Sequence, residues 1–175
     1  MHKIAITGHP GSGKSKVRKL LEEFGAITID LDKIARDLLS KDTIEYDAVV
    51  EAFGHSVLFD NGEIDRWRLR MKIMRNENDL AILNAIMHPS IDATYKNMIG
   101  ELPFSSTVVV EIPLLTHNDD GYFDTVVLVV ADKAVKIERI MKRDHCSAHD
   151  ADALLALHPS DKERKKFATF VIDNN

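Results

Sequence analysis

The stretch Gly8–Ser15, which reads GHPGSGKS, decides the fold of this chain. It has the pattern G-x-x-x-x-G-K-S and follows the short apolar run Lys3–Thr7, which reads KIAIT. Behind it, apolar side chains recur at helical spacing until Gly25; they are Val17, Leu20, Leu21 and Phe24. A strand, a glycine-rich turn and a helix in this order are the context that a phosphate-binding loop requires.

The chemistry of this loop follows from its backbone. Small residues allow successive N–H groups to curl around a phosphate chain at the positive end of the following helix. The pattern predicts that Lys14 reaches the β- and γ-phosphates of a nucleotide and that the Ser15 hydroxyl binds the bridging Mg²⁺. A glycine-rich turn without a ligand is the alternative interpretation. With ATP and Mg²⁺ as the expected cofactors, the residues predicted to bind ATP here are His9, Pro10, Gly11, Ser12, Gly13, Lys14 and Ser15.

Composition narrows the class of protein. The chain has 175 residues, of which 45% are hydrophobic and 29% charged, as is typical of one globular domain. Its net charge of −5 argues against a nucleic-acid partner bound through bulk charge. One cysteine, Cys146, excludes an intrachain disulfide, and we find no signal peptide or membrane-spanning run. We therefore expect a cytoplasmic protein with no membrane partner, and the sequence does not indicate its oligomeric state.

A parallel sheet is predicted from the apolar runs. Ala26–Ile29 is a short β-branched strand that leads into Asp30–Asp32 and a helical pattern. Strand, helix and strand in this order predict a parallel pair, so we expect the phosphate-binding loop and Asp30–Asp32 to share one sheet edge. Thr107–Ile112 and Thr125–Val130 are continuous apolar runs typical of central parallel strands, and Phe170–Ile172 fits a final edge strand.

Helices are predicted elsewhere. Residues 43–100 carry only helical patterns, with a turn and helix start at Asp60–Asp65 and a further helix that begins after His88 with Pro89 in its first turn.

Two capping boxes are predicted near the C-terminus. Ser147 with Asp150 and Ser160 with Glu163 have the required spacing, and each is expected to begin a helix. The mixed charges of residues 162–166 favour a solvated helix face over a binding patch.

Further motifs, taken in chain order with the loop, resemble the dephospho-coenzyme A kinase family. They are DLD at 30–32 with IAR at 34–36, GEIDR at 62–66 with LR at 69–70, HP at 88–89, PLL at 113–115, RD at 143–144 and VIDN at 171–174. Members of this family transfer the γ-phosphate of ATP to the ribose 3′-hydroxyl of dephospho-coenzyme A, the last step of coenzyme A biosynthesis.

The resemblance implies an α/β fold. We expect one P-loop kinase domain over residues 1–175, with a three-layer αβα arrangement built on a parallel five-stranded sheet. Its implied parts are a core at 1–31, 101–133 and 160–175, a helical acceptor (coenzyme A) domain at about 32–100, and a small helical lid at about 134–159.

The resemblance also implies roles for the two aspartates after the second strand. Asp32 matches the second aspartate of the family motif and is the candidate base. Asp30 would fix the acceptor ribose or a metal-bound water. The alternative for both is a turn and helix cap after a strand.

Three residues are predicted to bind the acceptor with Asp30 and Asp32. Arg66 and Arg70 lie four residues apart, hence on one helix face, in the segment that the resemblance assigns to the acceptor domain. Guanidinium groups suit an anionic acceptor, whereas a solvent-exposed face is the alternative. His88 is the third, with a local hydrogen-bonding group as its alternative.

Two arginines match the lid of the family. Arg139 and Arg143 are four residues apart, and both are implied to bind ATP, with Arg143 neutralising the transferring phosphate. An ion pair of Arg143 with Asp144 or Glu138 is the alternative. The residues predicted to be catalytic are therefore Lys14, Asp32 and Arg143.

The chain departs from the family at several places. Lys16 and His9–Pro10 replace residues usual in and after the loop, Ala153 and His158 stand where a lid arginine and glutamine are usual, and Thr116–His117 follow PLL. Two other functions therefore stay open. One is another small-molecule or nucleoside monophosphate kinase, and the other is a non-catalytic ATP-binding descendant.

Overall fold

The computed structural model of the protein describes residues 1–74, 76–115 and 121–175. The departure at Thr116 and His117 lies outside these residues. The described chain forms two compact units, Met1–Asp30 with Leu102–Asn175 and Leu31–Glu101, which we name the sheet unit and the helical unit. In chain order the elements are β1 His2–Thr7, α1 Lys14–Glu23, β2 Ile27–Asp30, α2 Leu31–Leu38, α3 Ile44–Phe53, α4 Arg66–Ile73, α5 Glu77–Gly100, β3 Thr107–Glu111, β4 Thr125–Val130, α6 Lys133–Asp144, α7 Ala148–Ala156, α8 Asp161–Arg164 and β5 Phe170–Asp173.

The sheet unit contains one five-stranded sheet with the order β2-β3-β1-β4-β5, in which all neighbouring strands are parallel. With helices flanking the sheet, this confirms the predicted three-layer α/β fold. The final strand, β5, is an edge strand, as predicted. One detail differs, because β1 and β2 are not direct neighbours: β3 lies between them.

The core of the sheet unit comes from the apolar runs. Ile6, Val109 and Val129 are fully buried, and Val17 and Leu21 of α1 pack against their cluster. Strands covered on both faces require continuous apolar sequence, which explains why the runs in β3 and β4 do not alternate.

The C-terminal helices begin as the sequence predicts. The Ser147 hydroxyl accepts a hydrogen bond from the Asp150 N–H, and the Asp150 carboxylate accepts one from the Ser147 N–H, which confirms the first capping box. Ser160 and Glu163 form the second. The helix after the second box is short, since α8 ends at Arg164.

The helical unit has its own core, with α5 packed against α2, α3 and α4. Its buried residues are Val49, Phe53, Val57, Ile64, Leu69 and Met87. The predicted helix start is confirmed, because the Asp65 carboxylate caps α4 by accepting hydrogen bonds from the Trp67 and Arg68 N–H groups. Among the described residues, no helix is long and apolar enough to cross a membrane.

Pro89 does not begin a helix, so this prediction is wrong. It lies inside α5, which runs unbroken over 24 residues. Leu83 and Met87 before the proline and Ile91 after it pack against the same core cluster. That shared packing offsets the loss of one backbone hydrogen bond, which costs about 3 kcal/mol at a proline inside a helix.

Candidate active site

The phosphate-binding loop leaves the C-terminal end of β1 and leads directly into α1. Gly13 caps α1 in the left-handed region at φ 96°, which glycine adopts without strain. The Lys14 side chain is buried, and its Nζ donates hydrogen bonds to the carbonyl oxygens of Gly8 at 3.0 Å and His9 at 3.1 Å. The Lys14 ammonium group is therefore enclosed by the backbone of the loop.

Glu111, the last residue of β3, is a site residue that the sequence analysis missed. It is 7% exposed, and its Oε1 accepts a hydrogen bond from Ser15 Oγ at 3.1 Å. The signal was a lone acidic residue at the end of the apolar run TVVVE, in a strand beside the one that precedes the loop. A buried carboxylate next to the hydroxyl that follows the loop lysine places two hard oxygen ligands together.

Arg18 of α1 shares its positive charge between Glu111 and Asp30. Its Nε donates to Glu111 Oε2 at 2.9 Å, and its Nη2 lies 3.8 Å from Asp30 Oδ2. The β2–β3 register places Asp30 directly opposite Glu111. Asp30 therefore shares the C-terminal sheet edge with the loop, as predicted, and one guanidinium contacts both carboxylates.

Arg139 and Asn174 also contact the loop, through its backbone carbonyl oxygens. Arg139 Nη1 donates to the carbonyl oxygens of Gly11 at 3.3 Å and Asn174 at 2.8 Å. Asn174 Nδ2 donates to the Ser12 carbonyl oxygen at 2.9 Å. A Cβ on Gly13 would lie 2.0 Å from this Nδ2, so a side chain there would displace the Asn174 amide from the loop.

Arg143 lies on the surface of α6, with its side chain 58% exposed. Its Nε and Nη2 donate to the Asp144 carboxylate at 2.6 and 2.8 Å. This is one of the two ion pairs that the sequence analysis left open. The predicted role of Arg143 at the transferring phosphate stays a prediction.

Arg164 corrects the prediction for the charged run 162–166. Its side chain is completely buried, and Nη2 donates to the Pro113 carbonyl oxygen at 3.0 Å. Burial lowers the pKa of Arg164, which Asp161 and Glu163 partly oppose. The charge pattern missed this because a basic residue near the end of a short helix resembles its solvated neighbours.

The remaining predicted residues lie in the helical unit. Asp32 is exposed in the first turn of α2, which begins directly after β2. Arg66 and Arg70 are exposed on α4, and His88 is exposed on α5.

A pocket of about 600 Å³ opens within the helical unit. Arg66 lines the pocket, whereas Arg70 and His88 do not. Two further cations that were not predicted as site residues, Arg36 and Lys41, also line it. Two aromatic rings, Phe59 and Trp67, are 49% and 68% exposed there. The lining is completed by Asp37, Leu39, Ser40, Glu63, Ile64 and Asp65.

The chain matches known proteins over its whole length. The sequence model of the dephospho-CoA kinase family matches residues 2–175. A dephospho-CoA kinase of Streptomyces avermitilis is 36% identical, and the alignment covers 100% of this chain and 86% of that protein.

Solved structures agree with the sequence comparison. A crystal structure of a Thermus thermophilus protein superposes with a TM-score of 0.84 at 28% identity, covering 99% of this chain and 88% of that one. A dephospho-CoA kinase from Campylobacter jejuni has a TM-score of 0.65 at 26% identity, with the same coverage of 99% and 88%.

Proposed function

The chain belongs to the dephospho-CoA kinase family, and on this premise we propose that it transfers the γ-phosphate of ATP to the ribose 3′-hydroxyl of dephospho-CoA. The observation that carries the proposal is the 3.1 Å hydrogen bond from Ser15 to Glu111, beside a loop that holds the buried Lys14. Phosphoryl transfer needs little covalent chemistry from a protein, so these groups act by position and charge.

The donor is proposed to bind in the loop Gly8–Ser15. Backbone N–H groups at the start of α1 would surround the phosphates, and the Lys14 ammonium would contact their outer oxygens. Arg139 already contacts the Gly11 carbonyl oxygen at 3.3 Å, so its positive charge lies against the loop. These contacts support the predicted ATP-binding role of Arg139 and the loop residues.

Mg²⁺ is proposed to be held by Ser15, with Glu111 orienting the hydroxyl or a bound water. The two oxygen groups fit this ion, which prefers one or two protein oxygen ligands together with waters and phosphate oxygens. The described residues contain no cluster of three or more His, Cys, Asp or Glu side chains that could hold a metal. When bound, the ion neutralises charge on the β- and γ-phosphates.

The acceptor is proposed to bind in the pocket of the helical unit. Its volume of about 600 Å³ lies within the range of small-molecule pockets. Arg36, Lys41 and Arg66 offer charge to phosphate groups, and the Trp67 ring offers a surface on which a base can stack. Arg70 and His88 remain proposed contacts for parts of the acceptor that extend past the pocket lining.

The proton of the acceptor hydroxyl is proposed to pass to Asp32. This carboxylate is exposed at the start of α2, where it is accessible to a substrate. Asp30 is proposed to hold the ribose or a metal-bound water, at the cost of its 3.8 Å contact with Arg18. For Arg143, binding of the transferring phosphate would replace the Asp144 carboxylate with another anion.

The decisive experiment is mass spectrometry of dephospho-CoA incubated with the protein, ATP and Mg²⁺, in parallel with the Lys14→Ala variant. Product with the wild-type protein alone would support the proposal. Nucleoside monophosphates in the same assay test the alternative kinase. ATP binding without product from any acceptor would contradict the proposal and favour a non-catalytic descendant.

A further inference from the structure

His9, the second residue of the phosphate-binding loop, is tied to a carboxylate far along the chain. Its Nδ1 lies 2.7 Å from Asp161 Oδ1, at the first residue of α8. The second oxygen, Asp161 Oδ2, accepts a hydrogen bond from Lys136 Nζ of α6 at 3.1 Å. Each oxygen of this one carboxylate therefore contacts a different element of the sheet unit.

The direction of the His9 bond follows from the charge of Asp161. Partial burial alone would raise the pKa of Asp161, but hydrogen bonds from His9 and Lys136 outweigh it and lower the pKa to about 2. An ionised carboxylate can only accept hydrogen bonds. His9 must therefore donate from Nδ1.

The surroundings of this bond are partly buried and carry positive charge. His9 and Lys136 are 8% and 6% exposed, so both donors are largely shielded from water, whereas the Asp161 side chain is 24% exposed. Arg164 Nη1 lies 3.9 Å from Asp161 Oδ1, and the His158 ring centroid is 6.2 Å from that of His9. One carboxylate thus compensates two buried cations.

The backbone adds a second link between the loop and α6. A Cβ on Gly11 would lie 2.6 Å from the Lys136 carbonyl oxygen, so the loop already packs tightly against this helix. The side chains of Lys136 and Asp161 then join the two ends of the segment between them, which includes α7. The loop is held both by contact with α6 and by a hydrogen bond to α8.

We propose that Asp161 is a positioning residue for the phosphate-binding loop: it holds the loop through His9 and anchors the α6–α8 segment to it through Lys136. The inference rests on the proposed function only in taking this loop as the ATP site. A loop that is already held in place loses less conformational freedom when a nucleotide binds, so the contact favours ATP affinity.

The test compares two substitutions of His9. His9→Leu removes the donor but fills much of its volume, and Asp161 keeps its contacts with both buried cations. His9→Asn retains an N–H donor on a short planar side chain. ATP affinity is measured by calorimetry with Mg²⁺, thermal stability is measured without nucleotide, and hydrogen exchange is followed in peptides that cover residues 8–15.

We expect His9→Leu to weaken ATP binding about tenfold and to speed exchange in the loop, because it loses a hydrogen bond to a charged group. His9→Asn should recover most of both. Unchanged affinity in His9→Leu would overturn the inference. So would equal losses in both variants, since the effect would then follow from the imidazole ring and not from its bond to Asp161.

This outcome is separable from that of the proposed function. A wild-type protein that binds ATP but does not phosphorylate dephospho-CoA would refute the proposed reaction, while the His9 comparison would still decide the role of Asp161. Asp161→Asn gives a further check, because its amide oxygen still accepts a hydrogen bond. It should weaken ATP binding less than Asp161→Ala, and the reverse order would contradict the inference.

Discussion

Ser15 Oγ donates a hydrogen bond to Glu111 Oε1 over 3.1 Å, which joins the first turn of α1 to the last residue of β3. The other oxygen of Glu111 accepts from Arg18 at 2.9 Å. The carboxylate is therefore fixed in orientation by two donors, and its charge is only partly neutralised. This geometry suits a group that orients a metal ligand.

Glu111→Gln tests this role, because it keeps the shape and an acceptor oxygen for Ser15 while it removes the charge. We expect turnover to fall on the order of 100-fold and the Mg²⁺ concentration for half-maximal activity to rise. ATP affinity without Mg²⁺ should change little. Glu138→Gln on the exposed side of α6 is the control, and an unaltered Mg²⁺ dependence in Glu111→Gln would refute the assignment.

Lys14→Ala should reduce ATP affinity and turnover together, since the ammonium is proposed to contact phosphate in both the ground state and the transition state. The loss in kcat/KM should be on the order of 100-fold or more. Lys16→Ala is a matched control, because Lys16 is exposed two residues further along the same helix. Comparable losses in both variants would point to a general charge effect.

Asp32→Asn should lower kcat by about 100-fold and leave the ATP dissociation constant unchanged, because a general base acts on the acceptor and not on the donor. Steady-state kinetics with saturating acceptor and calorimetry with ATP measure the two effects. Asp47→Asn, an exposed aspartate of α3, controls for loss of charge in the helical unit. Wild-type turnover in Asp32→Asn would exclude it as the base.

Substitutions of Arg66 and Arg70 test whether the acceptor binds in the pocket or on the surface beside it. Arg66 lines the pocket and Arg70 does not, although both are on α4. We expect Arg66→Gln to raise the KM for dephospho-CoA about tenfold, and Arg70→Gln to raise it less, since a contact with an anion is strongest where water is partly excluded. A larger effect for Arg70→Gln would show that the acceptor does not occupy this pocket.

Local patterns predicted much of the fold. The phosphate-binding loop, the five strands and both capping boxes depend on residues close together in sequence, so their spacing was sufficient. The prediction at Pro89 was wrong because packing in the folded chain overrides local propensity there. Local propensity places a proline at a helix start, but Leu83 and Ile91, on either side of Pro89, pack against the same core, so that α5 continues past the proline.

The site residues that were missed all depend on tertiary contacts. Glu111 gains its role from strand order, which places it beside the strand that leads into the loop. Arg164 is buried because its guanidinium reaches the Pro113 carbonyl oxygen, 51 positions away in sequence. Asp161 likewise meets His9 across 152 positions. Patterns in a single sequence do not reveal such long-range pairings. From charge alone, residues 162–166 were predicted to face solvent.

The lowered pKa of Asp161 gives a final prediction about stability at acid pH. The pKa is about 2 in the folded protein against 3.8 for the ordinary carboxyl, so the ionised form stabilises the fold. A depressed folded pKa means that this contribution is complete above the unfolded pKa and is lost as pH falls toward the folded one. The wild-type protein should therefore lose unfolding free energy more steeply than Asp161→Asn between about pH 5 and pH 3.

Urea unfolding at several pH values in this window measures the difference between the two proteins. Asp124, Asp150 and Glu163 also have lowered pKa values, but they are common to both proteins and cancel in the comparison. Curves that stay parallel down to pH 3 would mean that His9 and Lys136 do not stabilise the Asp161 carboxylate.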